Sequence, residues 1–272
     1  MANITLSERY SNLVDTKLRS ELVLKDGIIF NNRYEGDPKA GAVKIRKTGE
    51  STVGDYDRTN GAEMSKASSE WITITIDKDK YINEIVDGYE ANAVPDGIVA
   101  DRLDSAGYGL AETLDKDGAA ELVTSGTISE DTTAFTKQTV YSKFVDARTT
   151  LSTNNVPVNG RYAIVTPEVY ALVLKSDEFI KASALGDSVV QTGALGQIAG
   201  FMVFESNNLG ENVEAVFGHP SCATRVNEWA VPVHVQDLAQ SGKYIGASAV
   251  QGRKVYAHKV TQPKGIIVKK KA

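Results

Sequence analysis

The sequence is poor in the residues that build most reactive sites, with one cysteine, Cys222, and three histidines among 272 residues. One cysteine excludes an internal disulfide framework and fits a reducing compartment, and no His or Cys group has the spacing of a zinc site. The chain also lacks a secretory signal and any apolar run long enough to span a bilayer. We therefore expect a soluble protein that is made in a cytoplasm and does not enter a membrane.

A large excess of charge of one sign is also missing, because the net charge is only −5, and so a high-affinity nucleic-acid partner is not expected. The charge is nevertheless unevenly placed. Residues 33–80 carry nine basic and nine acidic side chains, residues 84–131 carry twelve acidic and two basic ones, and residues 253–272 carry seven basic ones and no acid. A basic end on an acidic body favours self-association, although a solvated helix face and a solvated terminus explain the same pattern.

The composition, with 42% hydrophobic and 24% charged residues, is typical of a globular protein. A chain of 272 residues can form one large domain or two small ones. Periodic apolar positions predict a helix over 7–24, partly helical structure over 82–93, a helix about 30 Å long over 98–123, and then a polar linker over 124–135. From residue 136 onward the pattern alternates. It predicts helices over 137–151, 167–174 and 221–227 and strands over 162–165, 201–204, 213–217, 231–235, 254–260 and 265–268.

Residues 33–80 do not have the pattern of a compact domain. Two strands with alternating apolar residues, over 42–46 and 71–76, are separated by 24 residues, Lys47 to Glu70, with almost no large apolar side chain. A connection of that length inside a compact domain is uncommon. The two strands can pair, but their own chain cannot bury most of the segment between them, so this segment requires a partner or stays mobile.

Three motifs could carry chemistry, and each has a more ordinary explanation. His219-Pro220-Ser221-Cys222 places a base beside two nucleophiles but lacks a readable orienting group and oxyanion site, which favours a structural turn. Asp115-Lys116-Asp117-Gly118 opens like a calcium loop without the later ligands, which favours a helix-terminating turn. The glycines of 193–200 match no nucleotide-binding fingerprint and favour tight turns. We predict no catalytic, cofactor-binding or metal site, and a role in binding or assembly.

Several short motifs follow one another in a particular order. They are Gly54-Asp55-Tyr56-Asp57-Arg58, Ile164-Val165-Thr166-Pro167-Glu168-Val169-Tyr170, Gly196-Gln197-Ile198-Ala199-Gly200-Phe201-Met202-Val203, Ser206-Asn207-Asn208-Leu209 and Ala215-Val216-Phe217-Gly218-His219. In this order, after a terminal helix, a two-stranded arm and a long acidic helix, the segments resemble the major capsid proteins of tailed bacteriophages. The fold of that family is named for phage Hong Kong 97.

The resemblance covers essentially the whole chain and implies an α+β protein with the Hong Kong 97-type capsid fold. The implied parts are an N-terminal arm with a helix over 1–32, an extended β-hairpin loop over 33–80, a peripheral domain with a long spine helix over 81–135 and 245–272, and an α/β axial domain over 136–244. The implied function is that of a major capsid protein, which assembles as pentamers and hexamers into an icosahedral shell around double-stranded DNA. No enzymatic activity is implied.

The implied partners are other copies of the chain, a portal and packaged DNA in weak contact, without a membrane, in a virion assembled in the cytoplasm of a bacterial host. Because the arm begins near residue 33, the resemblance also implies a separate scaffolding protein, or a scaffold fused elsewhere, rather than an N-terminal scaffold segment. The acidic segment 84–131 suits a surface that faces DNA. No arm cross-link is predicted, because nothing in the sequence identifies a reactive residue among Lys39, Lys44, Lys47 and Lys66.

Two other functions stay open at this point. An encapsulin-type compartment shell has the same fold and would enclose a cargo enzyme instead of DNA. A small-molecule-binding or hydrolytic α/β protein would be a monomer or dimer with a ligand pocket, and would leave the long hairpin without an explanation.

Overall fold

The computed structural model describes residues 19, 21–32, 41–49, 51–62, 64, 66, 69–89, 98–176, 196–239 and 242–271. Most of the helix predicted over 7–24 lies outside these residues, and its described end, residues 21–24, is not helical. The described chain forms three sheets and the helices that pack on them.

The helices are α1 (Ile98–Ser125), α2 (Val140–Thr153) and α3 (Pro167–Leu174), with 3₁₀ turns at Pro220–Cys222 and Pro263–Gly265. The strands are β1 (Ala42–Thr48), β2 (Ser69–Thr75), β3 (Lys78–Val86), β4 (Thr127–Ile128), β5 (Tyr162–Val165), β6 (Gln197–Ile198), β7 (Phe201–Glu205), β8 (Val213–Gly218), β9 (Ala223–Asp237), β10 (Ser248–Val260) and β11 (Ile266–Lys270). The predicted strand pair and the predicted long helix are both confirmed.

A six-stranded mixed sheet in the order β4-β11-β8-β5-β7-β6 contains most of the core. Strand β5 lies inside this sheet, parallel to β7 and antiparallel to β8, and all four of its residues are buried. This explains why its sequence is continuously apolar rather than alternating. Helix α2 covers the sheet through Phe144, whose ring meets the rings of Phe201 and Phe217 edge-on at centroid distances of 6.3 and 5.0 Å.

A second, three-stranded antiparallel sheet has the order β3-β10-β9, and α1 lies along one face of it. Val86 and Val250 of the sheet pack with Ala106 of the helix in a small separate cluster. A Cβ on Gly252 would lie 3.1 Å from Cδ1 of Leu110, so the missing side chain lets the helix lie close to β10. The three-stranded sheet and α1 together form a second packed unit beside the six-stranded sheet.

In the segment 82–93, expected to be partly helical, residues 82–86 belong to strand β3, residues 88 and 89 are helical, and residues 90–93 lie outside the described residues. Two local predictions are wrong. The segment 221–227, expected to be a short helix, is a 3₁₀ turn that leads into β9. Asp115–Gly118, expected to terminate a helix, lies inside α1, which continues to Ser125. The linker over 124–135 is not wholly irregular, because β4 pairs in parallel with β11.

The two larger sheets do not follow the domain boundaries that the sequence predicted at residues 136 and 244. Strands β4 and β11 belong to the six-stranded sheet although they lie outside 136–244, and β9 belongs to the three-stranded sheet although it lies inside that range. The division into axial and peripheral domains therefore stays a prediction, and these three strands lie on the other side of it from the sheets to which they belong.

Candidate assembly surface

The β1–β2 hairpin has one apolar face, and that face lies on the three-stranded sheet. Val43 and Ile74 are almost fully buried against Val226 of β9 and Ala257 of β10. The pairing continues to Thr48 opposite Ser69, and nearly all described residues beyond this pair are exposed. The base of the hairpin is thus fixed to the subunit, whereas its far part has no cover from the other residues that the structure describes.

The opposite face of the hairpin is polar and carries an exposed tryptophan. Trp71 pairs with Arg46, and Thr73 pairs with Lys44, so these four side chains share the outer face. Trp71 is 61% exposed. A tryptophan in this position provides a large contact area for a partner beside two cations.

The far part of the hairpin contains a defined turn at Asp57–Gly61. The amide of Gly61 donates to the carbonyl of Asp57 at 2.8 Å, and Gly61 has a φ of +82°. The Asp57 carboxylate accepts from the amide of Thr59 and from Nδ2 of Asn60, and these hydrogen bonds lower the pKa of Asp57. The turn therefore holds its own shape, although its residues are exposed.

Three apolar side chains in this far part are exposed to an unusual degree. Val53 is 94% exposed, Tyr56 71% and Met64 fully exposed. Single exposed apolar residues are ordinary. Three of them on one segment beyond the paired strands, in addition to Trp71 on β2, are typical of a surface that another protein covers. The hairpin is therefore the first candidate for a contact between chains.

Residues 21–32 form an N-terminal strap that is hydrogen-bonded to β9, the strand on which the base of the hairpin packs. The backbone amide of Asn31 donates to the carbonyl of Ala223, and the backbone carbonyl of Asn31 accepts from the amide of Arg225. Asn31 therefore forms a parallel bridge to β9. Its side chain accepts from the Thr224 hydroxyl and donates to the carbonyls of Pro220 and Ala223. No local pattern predicts this contact, because nearly two hundred residues separate the partners.

Asp115 of α1 joins the strap to the six-stranded sheet. Its buried carboxylate accepts from the amide of Leu24 at 2.9 Å and from Nδ2 of Asn208 at 2.8 Å. A Cβ on Gly118, one turn later, would lie 3.1 Å from both Leu24 and Phe30. The motif that suggested a calcium loop is thus a packing site in which one carboxylate connects three parts of the fold.

A buried arginine lies under the strap. Arg225 is 3% exposed, pairs with Asp26 at 3.0 Å, stacks over Phe30 and donates from Nε to Nε2 of His258. Burial, together with the cations of Arg225, Lys254 and Lys78, lowers the pKa of His258 to about 3. His258 is consequently neutral near pH 7 and acts as a hydrogen-bond acceptor.

A second polar cluster holds the connection from α1 to α2. Lys143 and Lys269, both more than 90% buried, contact the Asp131 carboxylate at 2.9 and 3.3 Å, and both also donate to backbone carbonyls of this connection. Hydrogen bonds from Thr133 and Lys143 hold the pKa of Asp131 far below its usual range. A cavity of about 450 Å³ adjoins these groups, with Phe135, Phe217 and Ile267 among its lining residues.

Part of the acidic segment is engaged in hydrogen bonds and ion pairs within the chain. Asp117 accepts from the Tyr256 hydroxyl, and Glu121 accepts from the amide of Val260. Further acids form ion pairs, namely Glu84 with Arg102, Asp104 with Arg19 and Glu112 with Lys116. Less negative charge is therefore available to face DNA than the count of twelve acids indicated.

A family model described as phage capsid protein matches residues 73–268. The chain belongs to the phage capsid protein family. Curated protein sequences provide no match.

Solved capsid structures share the fold of this capsid protein. A structure from Mycobacterium phage Che8 has a TM-score of 0.82 at 24% identity and covers 98% of each chain. The capsid of cyanophage P-SCSP1u has a TM-score of 0.80 at 15% identity, with 97% of this chain and 92% of that one covered. The mature capsid of bacteriophage PhiM1 has a TM-score of 0.77 at 12% identity, with 98% and 92% covered. The mixed helix-and-sheet fold is thus that of phage capsid structures.

The family membership predicted from the order of motifs is confirmed. The capsid protein is a structural component of the virion rather than an enzyme. This agrees with the exposed hairpin, whose apolar side chains need a partner outside the chain.

The motifs considered for chemistry have structural roles in the capsid protein. Nε2 of His219 is 2.9 Å from the carbonyl of Asn159, and Nδ1 accepts from the amide of Ser221. Cys222 is buried, and this burial raises the pKa of its thiol. Ala199 and Gly200, both with positive φ, form the turn between β6 and β7, as predicted for this glycine-rich segment.

Two searches of the described residues of the capsid protein give negative results. No group of three His, Cys, Asp or Glu side chains is placed to hold a metal ion in the part of the chain that the structure describes. Within the same residues, no helix is long and apolar enough to cross a membrane.

Proposed function

We propose that this chain is the major capsid protein of a tailed bacteriophage. Copies assemble as pentamers and hexamers into an icosahedral shell that encloses the double-stranded DNA genome. Residues 1–32 are the N-terminal arm, residues 33–80 are the extended loop that lies across a neighbouring subunit, and α1 is the spine helix of the peripheral domain. The six-stranded sheet with α2 and α3 forms the centre of the axial domain.

The observation that carries the proposal is the uncovered hairpin. Its base is bound to β9 and β10 through Val43 and Ile74, whereas Val53, Tyr56 and Met64 are exposed and find no cover within the described part of the chain. A subunit that must contact several neighbours needs such a projecting element, because heterologous contacts form rings and lattices only when each copy reaches the next.

The energetics of the hairpin suit a repeated contact. Residues 33–80 are balanced in charge, with nine basic and nine acidic side chains, so neighbouring hairpins do not repel one another through net charge. Exposed ion pairs contribute only ~0–1 kcal/mol each. Many weak pairs, added to the burial of the apolar side chains and repeated at every subunit, make a stable shell through avidity.

The register of the hairpin allows a clean test. Thr48 and Ser69 are direct partners, so residues 49–68 can be replaced by Asn-Gly, which closes a two-residue hairpin turn. A matched control keeps the segment length and replaces 49–68 with twenty Gly and Ser residues. The wild-type chain and both variants are expressed in bacterial cells and purified, and the particles are examined by electron microscopy and sedimentation.

We expect both variants to fold, because the contacts of Val43 and Ile74 with the subunit are kept, and to lose shells by at least ~10-fold relative to the wild type. A loss in both variants assigns assembly to the side chains of the segment, whereas a loss in the shortened variant alone assigns it to the length. Normal shells from both variants would contradict the proposed role of the hairpin.

A separate scaffolding protein, a portal and weak contacts with packaged DNA complete the proposed set of partners, and we propose assembly in the cytoplasm of the host. The contact with DNA can be tested by reversing several exposed acids between residues 96 and 121. Empty shells should still form while DNA filling is disturbed. Unchanged filling would remove the acidic segment from the account of packaging.

A further inference from the structure

The dipeptide Asn-Gly occurs twice in the chain, and its two copies have different surroundings. Asn60-Gly61 lies in the turn at the far part of the hairpin, and Asn159-Gly160 lies in the loop between α2 and β5. Both asparagines are exposed, and each follows a β-branched residue. Because glycine has no Cβ, the backbone nitrogen after each asparagine is open to reaction with the asparagine side chain. The fold thus places the same reactive sequence in two environments.

The reaction that this dipeptide allows is the loss of the side-chain amide. The backbone nitrogen of the glycine gives up its proton and attacks Cγ of the asparagine, so that a new C–N bond closes a cyclic imide. The bond from Cγ to Nδ2 breaks, and Nδ2 takes up a proton and leaves as ammonia. Water from the solvent then opens the imide at either carbonyl, which gives aspartate or isoaspartate. Hydrogen bonds that hold the glycine nitrogen or the asparagine amide must break before the attack, and they slow it.

In the hairpin turn both reacting groups are held by Asp57. The amide of Gly61 donates to the carbonyl of Asp57 at 2.8 Å, and Nδ2 of Asn60 donates to the Asp57 carboxylate at 2.6 Å. The second hydrogen bond has a charged acceptor, which makes it stronger than one between neutral groups. An attack on Asn60 requires that both hydrogen bonds break, so the turn protects this asparagine although it is exposed.

In the loop before β5 the same two groups are not held. Within the described residues, neither the amide of Gly160 nor the side chain of Asn159 forms a hydrogen bond. The flanks of the loop are nevertheless fixed, because the buried Arg161 donates from Nε to the carbonyl of Pro157 at 2.9 Å. The reacting groups therefore lie on a short exposed segment that can rearrange without disturbing α2 or β5.

A histidine contacts the peptide group that would react. Nε2 of His219 is 2.9 Å from the carbonyl oxygen of Asn159, which belongs to the same peptide group as the nitrogen of Gly160. Nδ1 of His219 accepts from the amide of Ser221 at 3.2 Å, so Nε2 carries the proton and donates it to that oxygen. When Gly160 gives up its proton, the negative charge spreads over the nitrogen and this oxygen. The hydrogen bond from His219 stabilises that charge and favours the attack.

We propose that Asn159 is a site of spontaneous modification in the folded chain, where the nitrogen of Gly160 converts the side chain into aspartate or isoaspartate and His219 promotes the step. The product places a carboxylate beside His219, and isoaspartate also adds a methylene group to the main chain of the loop. The reaction involves this chain and water alone. It is therefore independent of assembly and of the proposed function.

The two dipeptides provide an internal comparison in the wild-type chain. The purified full-length chain is kept in mildly alkaline buffer and digested with trypsin, which places Asn60 in the fragment 59–66 and Asn159 in the fragment 149–161. Fragmentation in the mass spectrometer gives the rate of ammonia loss at each residue. We expect Asn159 to react at least about tenfold faster than Asn60, because two hydrogen bonds hold Asn60. In urea the two rates should agree. Equal rates in the folded chain would overturn the proposal.

Substitution of His219 tests its part in the reaction. We expect His219→Ala to slow the modification of Asn159 by roughly tenfold, which is the effect of one hydrogen bond, and to leave the rate at Asn60 unchanged. His219→Gln should recover part of that rate, because its side-chain amide can donate to the same oxygen. A substitution that only loosens the loop would raise the rate instead. An unchanged or raised rate in His219→Ala would contradict the role given to His219.

Two further measurements complete the design. In urea, the substitutions of His219 should change the rate at neither asparagine, because the hydrogen bond exists only in the folded chain. Thermal unfolding shows whether each variant keeps the fold, and the comparison of the two asparagines in the wild type needs no variant. Failure of these tests leaves the capsid role as it stands, since that role is tested by shell formation.

Discussion

Arg225 donates a hydrogen bond from Nε to Nε2 of His258 at 2.8 Å, in the joint where the N-terminal strap crosses β9 and β10. Phe30 of the strap contacts both side chains. Nδ1 of His258 is buried and has no hydrogen-bond partner among the described residues. A proton added to Nε2 would break the hydrogen bond and place a new charge beside Arg225, so the joint tolerates only the neutral imidazole.

This arrangement predicts a stability that falls in mild acid. The pKa of His258 is about 3 in the folded state, against about 6.5 for an unfolded chain. Below pH 6.5 the unfolded chain binds a proton that the folded chain refuses, so stability decreases as the pH falls from 6.5 toward 3. Between pH 7.5 and 5 the loss should be about 2 kcal/mol. Urea unfolding at both pH values measures it.

His258→Gln should reduce this loss, because the amide oxygen can accept from Arg225 and does not titrate. The matched control is His234→Gln, at an exposed position on β9, which should keep the pH dependence of the wild type. If the difference between the two pH values is the same in all three proteins, His258 is not the titrating group.

Asp131 should matter more than its exposure suggests, because Lys143 and Lys269 are both buried against it. Asp131→Asn leaves two buried ammonium groups without a counter-charge, and we expect a loss of about 2 kcal/mol in the free energy of unfolding. Asp146→Asn, which changes an exposed carboxylate on the same cavity, should cost little. Similar losses in the two variants would show that Asp131 has no special role.

Gly265 faces Cys222 so closely that an added methyl group cannot fit. Its Cβ would lie 2.2 Å from the Cys222 sulfur. Gly265→Ala should therefore destabilise the fold by about 2–3 kcal/mol. Because Cys222→Ala removes the sulfur, the double variant should be more stable than the sum of the two single losses predicts. Strict additivity in thermal or urea unfolding would rule out the steric explanation.

Asp115 should control the attachment of the strap. Asp115→Ala leaves the amide of Leu24 and the side chain of Asn208 without their acceptor and should cost about 2–3 kcal/mol. Asp115→Asn keeps one carbonyl oxygen and should cost less. Trypsin cleavage after the exposed Lys25 reports on the strap directly, and we expect it to accelerate in the order wild type, Asn, Ala. Equal cleavage rates would mean that Asp115 does not hold the strap.

The parts of the fold that were predictable from sequence are those whose pattern is local. Alternating isoleucines gave β2, and Pro167 at the first position of a helix gave the start of α3. Residues 82–86 could not be assigned to a strand from sequence, because Ile82 and Val86, four residues apart, share a face in a strand as well as in a helix. Their period cannot distinguish the two structures.

The strand that begins at Ala223 was missed for a different reason. Thr224, Arg225 and Val226 are all buried, so no alternation is visible, and two of the three are polar. Their partners come from distant segments, with Asn31 bonded to Thr224, Asp26 to Arg225, and the hairpin packed on Val226. No local pattern can show such burial. The exposed hairpin was readable because it lacks these partners, whereas the close backbone contact between Gly88 and Gly246 has no sign in the sequence.

The position of Asp115 along α1 has a mechanical consequence. About 26 Å of helix separates this residue from Ile98, where the helix starts. The Asp115 carboxylate fixes the helix to the strap and to the loop of Asn208. A displacement of the start of α1 therefore rotates the helix about Asp115. This displacement is then delivered through this one carboxylate to the strap and to the loop of Asn208.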